Sequence, residues 1–345
     1  MLLKIFNNYL FNIITYSLFC LIMSNRKTIP LDFLKPVLEL EYQIQQLSKV
    51  ANTSKLQIDQ ELKSFQFELG ALKKDIFNSL TPLQRLHLVR QADRPTTLDY
   101  IPYLMDEWIE IHGDRAGTDD SAMVTGIGRF REKTVVFIGH QRGKDTKDNV
   151  VRNFGMASPG GYRKALRLMQ HANRFNFPIF TFIDTPGAWA GIEAEQLGQG
   201  EAIAVNLREM FSFNVPIICT VLGEGGSGGA LGIGIGDKIL MLEYAVYTVA
   251  TPEACAAILW KDSKKSLEAA EALKITSADL QLLGIIDDIV EEPIGGSQSN
   301  PICAANILKN KLDYELNNLM ILSSDERKKM RYDKFRKMGT FYEVL

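Results

Sequence analysis

Histidine and cysteine are both scarce in this chain of 345 residues, with four of each. The cysteines (Cys20, Cys219, Cys255, Cys303) are widely scattered and form no C-x-x-C pair. That spacing argues against a zinc ribbon or a disulfide framework and fits a reducing compartment. Four histidines (His87, His112, His140, His171) are few for a metalloenzyme, and no metal site is expected. Net charge is only −2, so nothing draws the chain globally toward nucleic acid. The apolar run Tyr9–Met23 is 15 residues, short of the ~20 that span a bilayer. It resembles a signal-peptide core, but no small-x-small cleavage site follows. Residues 1–23 are therefore read as an apolar N-terminal extension, with translation expected to begin at Met23 and no stable membrane insertion.

What the chain does have is glycine, and it is concentrated. "GEGGSGGALGIGIG", residues 223–236, holds eight glycines in fourteen positions between two apolar runs. Such a cluster implies positive φ, or a ligand pressed against bare backbone.

The surroundings divide the chain. Residues 24–95 read as a helical arm: Ile58, Leu62, Phe65, Leu69, Leu72 and Ile76 form a heptad seam, preceded by Leu40, Ile44 and Leu47, with Ala51-Asn52-Thr53-Ser54 as the turn of a hairpin. Residues 96–320 alternate strand and helix. "AMVTGIGRF" and "TVVFIGH" predict a hairpin, "GGYRKALRLMQHANRF" an amphipathic helix, and "FPIFTFID" and "VPIICTVLG" buried strands. "DKILMLEYAVYTVA" reads as further strand, and Thr251-Pro252 restarts helix. The basic tail, 321–345, reads as a solvated helix end. Ligands in such α/β folds sit beyond the carboxyl ends of the strands, where "DTPGAWAG" (184–191) and "GEGGSGG" (223–229) fall.

Three readings of the glycines compete. Gly223 to Gly228 fit the dinucleotide pattern G-x-G-x-x-G, with Glu243 twenty residues on. Too little chain then remains for a crossover helix before the next strand. A phosphate-cradling loop ending in Lys-Ser/Thr is absent. Gly225 to Gly229 also fit G-x-S-x-G, a nucleophile elbow, but the last histidine is His171, before the serine. An Asp–His–Ser order through His140 or His171 stays open, though neither has an evident oriented partner. In the third reading the backbone is the catalyst. Gly228 and Gly229 present two unobstructed N–H groups at a helix start, an oxyanion hole in which one donor is worth ~3 kcal/mol.

"NFGMASPGGYRKALRLM" (153–169), "FIDTPGAWAG" (182–191), "GEGGSGGALGIG" (223–234) and "TPEACAAILWKD" (251–262) resemble the carboxyltransferase α-subunit family of acetyl-CoA carboxylase, over about Leu31 to Asn310. The resemblance implies an α/β, crotonase-like (ClpP/crotonase superfamily) fold with a ββα-spiral core and the N-terminal helical hairpin. It implies a transferase of fatty acid biosynthesis that moves the carboxyl of carboxybiotin, carried on biotin carboxyl carrier protein, to acetyl-CoA to give malonyl-CoA. No cofactor would be bound covalently. By the same resemblance Gly228 and Gly229 are the catalytic pair facing biotin. Gly155, Met156, Thr185, Pro186, Gly187, Ala188, Gly225, Gly226 and Ser227 would wall the carboxybiotin pocket. The expected partners are the β subunit, in an α2β2 assembly, the carrier protein and biotin carboxylase. The Arg142, Lys144, Lys147 and Arg152 group reads equally as an attractor of CoA phosphates or of the carboxybiotin carboxylate and as a solvated mixed-charge surface, and Glu224 reads as tuning the hole or capping backbone. Ala157, Ala190 and Gly160 depart from many members and match the cyanobacterial and plastid branch. With an Ile-, Asn- and Lys-rich composition, that points to a plastid stroma, or alternatively a bacterial cytoplasm. The alternative activity is a self-sufficient crotonase-type acyl-CoA hydratase or isomerase.

Overall fold

The computed structural model describes residues 31–54 and 59–339. The apolar extension, Ile58 of the seam and the last six residues lie outside them. Among the described residues no helix is long and apolar enough to cross a membrane.

The arm consists of two helices packed on each other, α1 (Lys35–Ser54) and α2 (Asp59–Asn78). Lys73 meets Glu41 at 2.6 Å, which sets them antiparallel. Leu62, Phe65, Leu69, Leu72 and Ile76 are half-buried along the seam, while Phe67 is 79% exposed. The expected turn at 51–54 is helix instead, and α1 runs through it. Two short helices, α3 (Pro82–Val89) and α4 (Thr97–Leu104), lead into the sheet. A reciprocal cap starts α3: the Gln84 amide donates to Thr81 Oγ1 at 3.2 Å and the Thr81 amide to Gln84 Oε1 at 2.9 Å.

Eight strands form one mixed sheet: β1 (Glu107–Glu110), β2 (Met123–Phe130), β3 (Lys133–His140), β4 (Ile179–Thr185), β5 (Ile217–Gly226), β6 (Lys238–Leu242), β7 (Val246–Thr248) and β8 (Asp288–Val290). The order is β1-β2-β3-β4-β5-β6-β8, antiparallel as far as β3 and parallel beyond it, with β7 pairing β5. The β2–β3 hairpin closes through Arg131 at φ 55°. The parallel strands are apolar on both faces because helices cover both; every residue of β4 and β5 is buried. The stretch 237–250 is two strands rather than one. Glu243 and Tyr244 turn the chain, so that Lys238 pairs with Ile218 while Val246 pairs with Glu224 further along β5.

Helix α5 (Pro159–Phe175) crosses from the hairpin to β4 and buries Tyr162, Ala165, Leu168, Met169 and Ala172, the three-and-four spacing of one helix face. Asn176 ends it in the left-handed conformation. Helix α6 (Gln199–Ser212) lies between β4 and β5, and the single-turn α7 (Ser227–Leu231) follows β5. Then come α8 (Pro252–Trp260), capped by Thr251 as expected, and α9 (Pro301–Ile321), which buries Leu308, Leu312 and Leu316. The final helix, α10 (Ser324–Lys337), departs from the expected solvated tail. Arg331 is fully buried and bonds both Asp237 oxygens (2.9 and 2.8 Å) and the Met210, Phe213 and Val215 carbonyls.

Candidate functional site

The carboxyl ends of β4 and β5 lie side by side, Thr185 opposite Gly225, and on the far side of β5 Gly226 pairs with Thr248. Gly223–Gly226 are therefore strand, not the loop expected from composition. The reason for so many glycines is close packing. A Cβ at Gly223 would stand 2.5 Å from the Asp184 carboxylate, and one at Gly225 2.8 Å from the Tyr247 ring. At Gly226 and Gly229 it would overlap the Pro186–Ala188 backbone, and at Gly232 it would reach the Tyr162 ring at 2.5 Å. Gly234 and Gly236 are hemmed in at 2.9 and 2.7 Å. Gly228 differs: the nearest atom to its Cβ position is Ile203 Cδ1, at 3.9 Å.

The chain turns from β5 into α7 through Ser227, which holds φ 51°, a strained value for a residue with a side chain. No side chain caps α7. Among the described residues neither the Gly228 nor the Gly229 amide donates to a main-chain or side-chain acceptor. Ser227 is exposed, Gly228 half-buried and Gly229 buried. Two free N–H groups thus stand at the positive end of a helical turn, where negative charge is stabilised.

The neighbouring loop is built around Thr185. Its buried hydroxyl donates to the Gly187 carbonyl (2.7 Å) and accepts from the Gly187 amide (3.1 Å), so it shapes the Pro186–Gly187 turn rather than offering a free group. Ala188 is half-buried against the core, and Trp189 donates its amide to the Ala157 carbonyl at 3.1 Å, tying this loop to segment 153–157. In that segment Asn153, Phe154 and Gly155 take φ of 47°, 56° and 78° in succession, and Met156 follows, half-buried. Gly155 lies against Arg142 and the Asp184 carbonyl. The structure therefore brings 155–156, 185–188 and 225–229 around the ends of two adjacent strands.

Beneath them runs a buried ion network. Arg142 meets Glu224 at 2.7 Å and Asp184 at 3.4 Å, and Arg90 forks onto both Glu224 oxygens (3.0 and 2.7 Å). Burial pushes the Glu224 carboxyl up, and the two guanidiniums outweigh it, holding it below the ordinary carboxylate range. Burial raises the Asp184 carboxyl despite Arg142. Glu224 is thus an anchor between α3 and β5. Of the basic group read as a phosphate attractor, Arg142, Lys144 and Arg152 are spent on Glu224, Asp99 and Asp148, leaving Lys147 exposed. A cavity of 270 Å³ opens between this network and Pro186, with Phe154 on its wall. It touches neither Gly228 nor Gly229.

The hydrolase reading fails on geometry. His140 is fully buried with neither ring nitrogen in good hydrogen-bond geometry, and burial, aided by Arg142, outweighs the Gly229 backbone beside it and pulls its pKa down to about 3. Ser227 lies exposed with no bond to it. The dinucleotide reading fails as well, because α7 spans five residues and no crossover helix exists before β6.

The residues that hold this arrangement from below (Asp184, Tyr162, Asn206) were not singled out by sequence. Asp184 and Tyr162 lie inside quoted motifs, but only tertiary pairing shows their task.

Residues 30–339 match the acetyl co-enzyme A carboxylase carboxyltransferase-like family. An acetyl-coenzyme A carboxylase carboxyl transferase subunit alpha from Gracilaria tenuistipitata var. liui is 77% identical, over 93% of this chain and 98% of its own. The corresponding subunit of Crocosphaera subtropica is 61% identical, over 93% and 96%. Among solved structures, the Pseudomonas malonate decarboxylase MdcD-MdcE hetero-dimer aligns with TM-score 0.52 at 14% identity, covering 64% of this chain and 91% of that one. Transcarboxylase 12S aligns with TM-score 0.51 at 20% identity, covering 62% and 42%. These structures share the crotonase-like fold expected from the motifs. With a family match over nine-tenths of its length and such close relatives, the chain belongs to the acetyl-CoA carboxylase carboxyltransferase family, on the α-subunit side.

Proposed function

We propose that this chain is the biotin-facing half of an acetyl-CoA carboxyltransferase, with the Gly228 and Gly229 amides as its oxyanion hole. The observation that carries this is Gly228. Seven of the eight clustered glycines are demanded by packing, whereas a Cβ at Gly228 would meet only Ile203 Cδ1 at an ordinary contact distance of 3.9 Å, beside an uncapped amide. Glycine without a packing reason is what a flat ligand against bare backbone requires. The carboxylated biotin of a carrier protein is a substrate here, supplying the carboxyl group and the nitrogen that takes the methyl proton of acetyl-CoA. The products are biotin and malonyl-CoA. The amides of α7 hold the ureido oxygen as charge gathers on it, and Pro186–Ala188, Gly155 and Met156 border the space. No side chain of this chain is asked to move a proton, which suits a buried, weakly basic His140.

The thioester enolate needs a second donor pair, which we assign to a β subunit in an α2β2 assembly served by the carrier protein and biotin carboxylase. Val249 (73% exposed) directly follows β7, whose Thr248 pairs with Gly226, and Ile258, Leu259 and Trp260 are exposed at the end of α8; these apolar side chains support a partner surface. The plastid relatives support a stromal location. Co-expression with a β subunit tests the reading: the complex should form malonyl-CoA and the chain alone should not. Hydration of an enoyl-CoA by the chain alone would overturn it.

A further inference from the structure

Helix α7 is gripped from behind. The fully buried Tyr162 of α5 donates its hydroxyl to the Gly229 carbonyl at 3.0 Å. Asn206 of α6, also fully buried, donates its amide protons to the Tyr162 carbonyl (3.1 Å) and the Gly232 carbonyl (3.0 Å). The helix lasts one turn: the Ile233 and Gly234 amides go to the Ala230 (3.3 Å) and Leu231 (2.9 Å) carbonyls. The Gly229 carbonyl thus takes the Tyr162 hydroxyl in place of a helical amide, with the His140 ring beside the same stretch of backbone.

Within a helical turn carbonyls point toward one end and amides toward the other. A bond on the Gly229 carbonyl holds the Gly229–Ala230 peptide, and the Gly232 amide, itself beside Asn206, holds the Gly228 carbonyl of the peptide that carries the Gly229 N–H (3.0 Å); together they set the turn from which the Gly228 and Gly229 amides project. It also opposes relaxation of the strained Ser227 at the helix start. We propose that Tyr162 and Asn206 are positioning residues of carboxyl transfer. They touch no substrate; they aim the glycine amides at the oxygen on which charge develops. This rests on the carboxyltransferase reading above.

The test uses the α/β complex and steady-state malonyl-CoA formation with Tyr162→Phe, Asn206→Asp, Tyr244→Phe and Gly228→Val. Tyr244 is a second buried tyrosine, placed on the turn between β6 and β7. Because misplacing a reacting group by ~1 Å can cost ~100-fold, Tyr162→Phe and Asn206→Asp should each lower kcat about tenfold. The KM for acetyl-CoA should stay within about twofold, the complex should remain assembled, and Tyr244→Phe should match wild type. If Tyr162→Phe fails to assemble, Asn206→Asp decides alone. Wild-type kcat in both variants with Gly228→Val inactive overturns the positioning role alone. Full activity in Gly228→Val overturns the underlying reading and the inference with it. An equal kcat loss in Tyr244→Phe would show that any buried hydroxyl matters and would likewise overturn the positioning role.

Discussion

The Glu224 amide donates to an Asp184 carboxylate oxygen at 3.0 Å, and this bond joins the ends of β4 and β5 where their register slips between Ile183 and Thr185. Removing it should loosen both walls of the site. Asp184→Ala leaves a buried amide without its acceptor and takes a carboxylate from Arg142. The amide alone should cost about 1–3 kcal/mol of stability. Urea denaturation of the variant against wild type checks this.

The C-terminal helix is fastened by buried charge as well as by Phe335 packed edge-on against Phe211. Arg331→Met strips Asp237, itself buried, of its bidentate partner. Breaking a buried pair from one side typically costs about 3–5 kcal/mol. The variant should unfold at lower denaturant, and α10 should become a protease site while the sheet stays protected.

Acid sensitivity should trace to His140. In the fold its pKa lies near 3, below the 6.5 of the free side chain. Between those values the unfolded chain binds a proton that the folded chain refuses. Stability therefore falls as pH drops from about 6.5 toward 3 and is complete above that window. His140→Phe should flatten the dependence of the melting temperature on pH between 7 and 5. An unchanged slope would contradict the assignment.

Much of the fold is legible from local pattern. The β2–β3 hairpin, the buried face of α5 and the Thr251 cap all follow from period and cap chemistry. What is not legible depends on distant neighbours. Ala51–Ser54 reads as a turn because Asn, Thr and Ser favour turns, yet each costs only a few tenths of a kcal/mol in a helix. Arg331 hides in a run of like-charged residues, and nothing near it in sequence announces Asp237. The glycines mislead most. Composition suggests a ligand against all of them, whereas Asp184, Tyr247, Tyr162 and the Pro186–Ala188 backbone account for most, and only three-dimensional packing separates Gly228 from the rest.

That separation gives the most direct measurement: kcat for malonyl-CoA formation by the assembled α/β complex carrying Gly228→Val. Gly229→Val is a poorer probe, since its Cβ would collide with the Gly187–Ala188 peptide and disturb the loop itself. At Gly228 the added Cβ meets only Ile203 Cδ1 at ordinary contact distance, so the complex should assemble and melt like wild type. Its kcat should drop by about 100-fold or more, because the added side chain bars the ureido oxygen from the amides as fully as losing an oxyanion donor would. A properly assembled Gly228→Val complex with wild-type kcat would contradict the account.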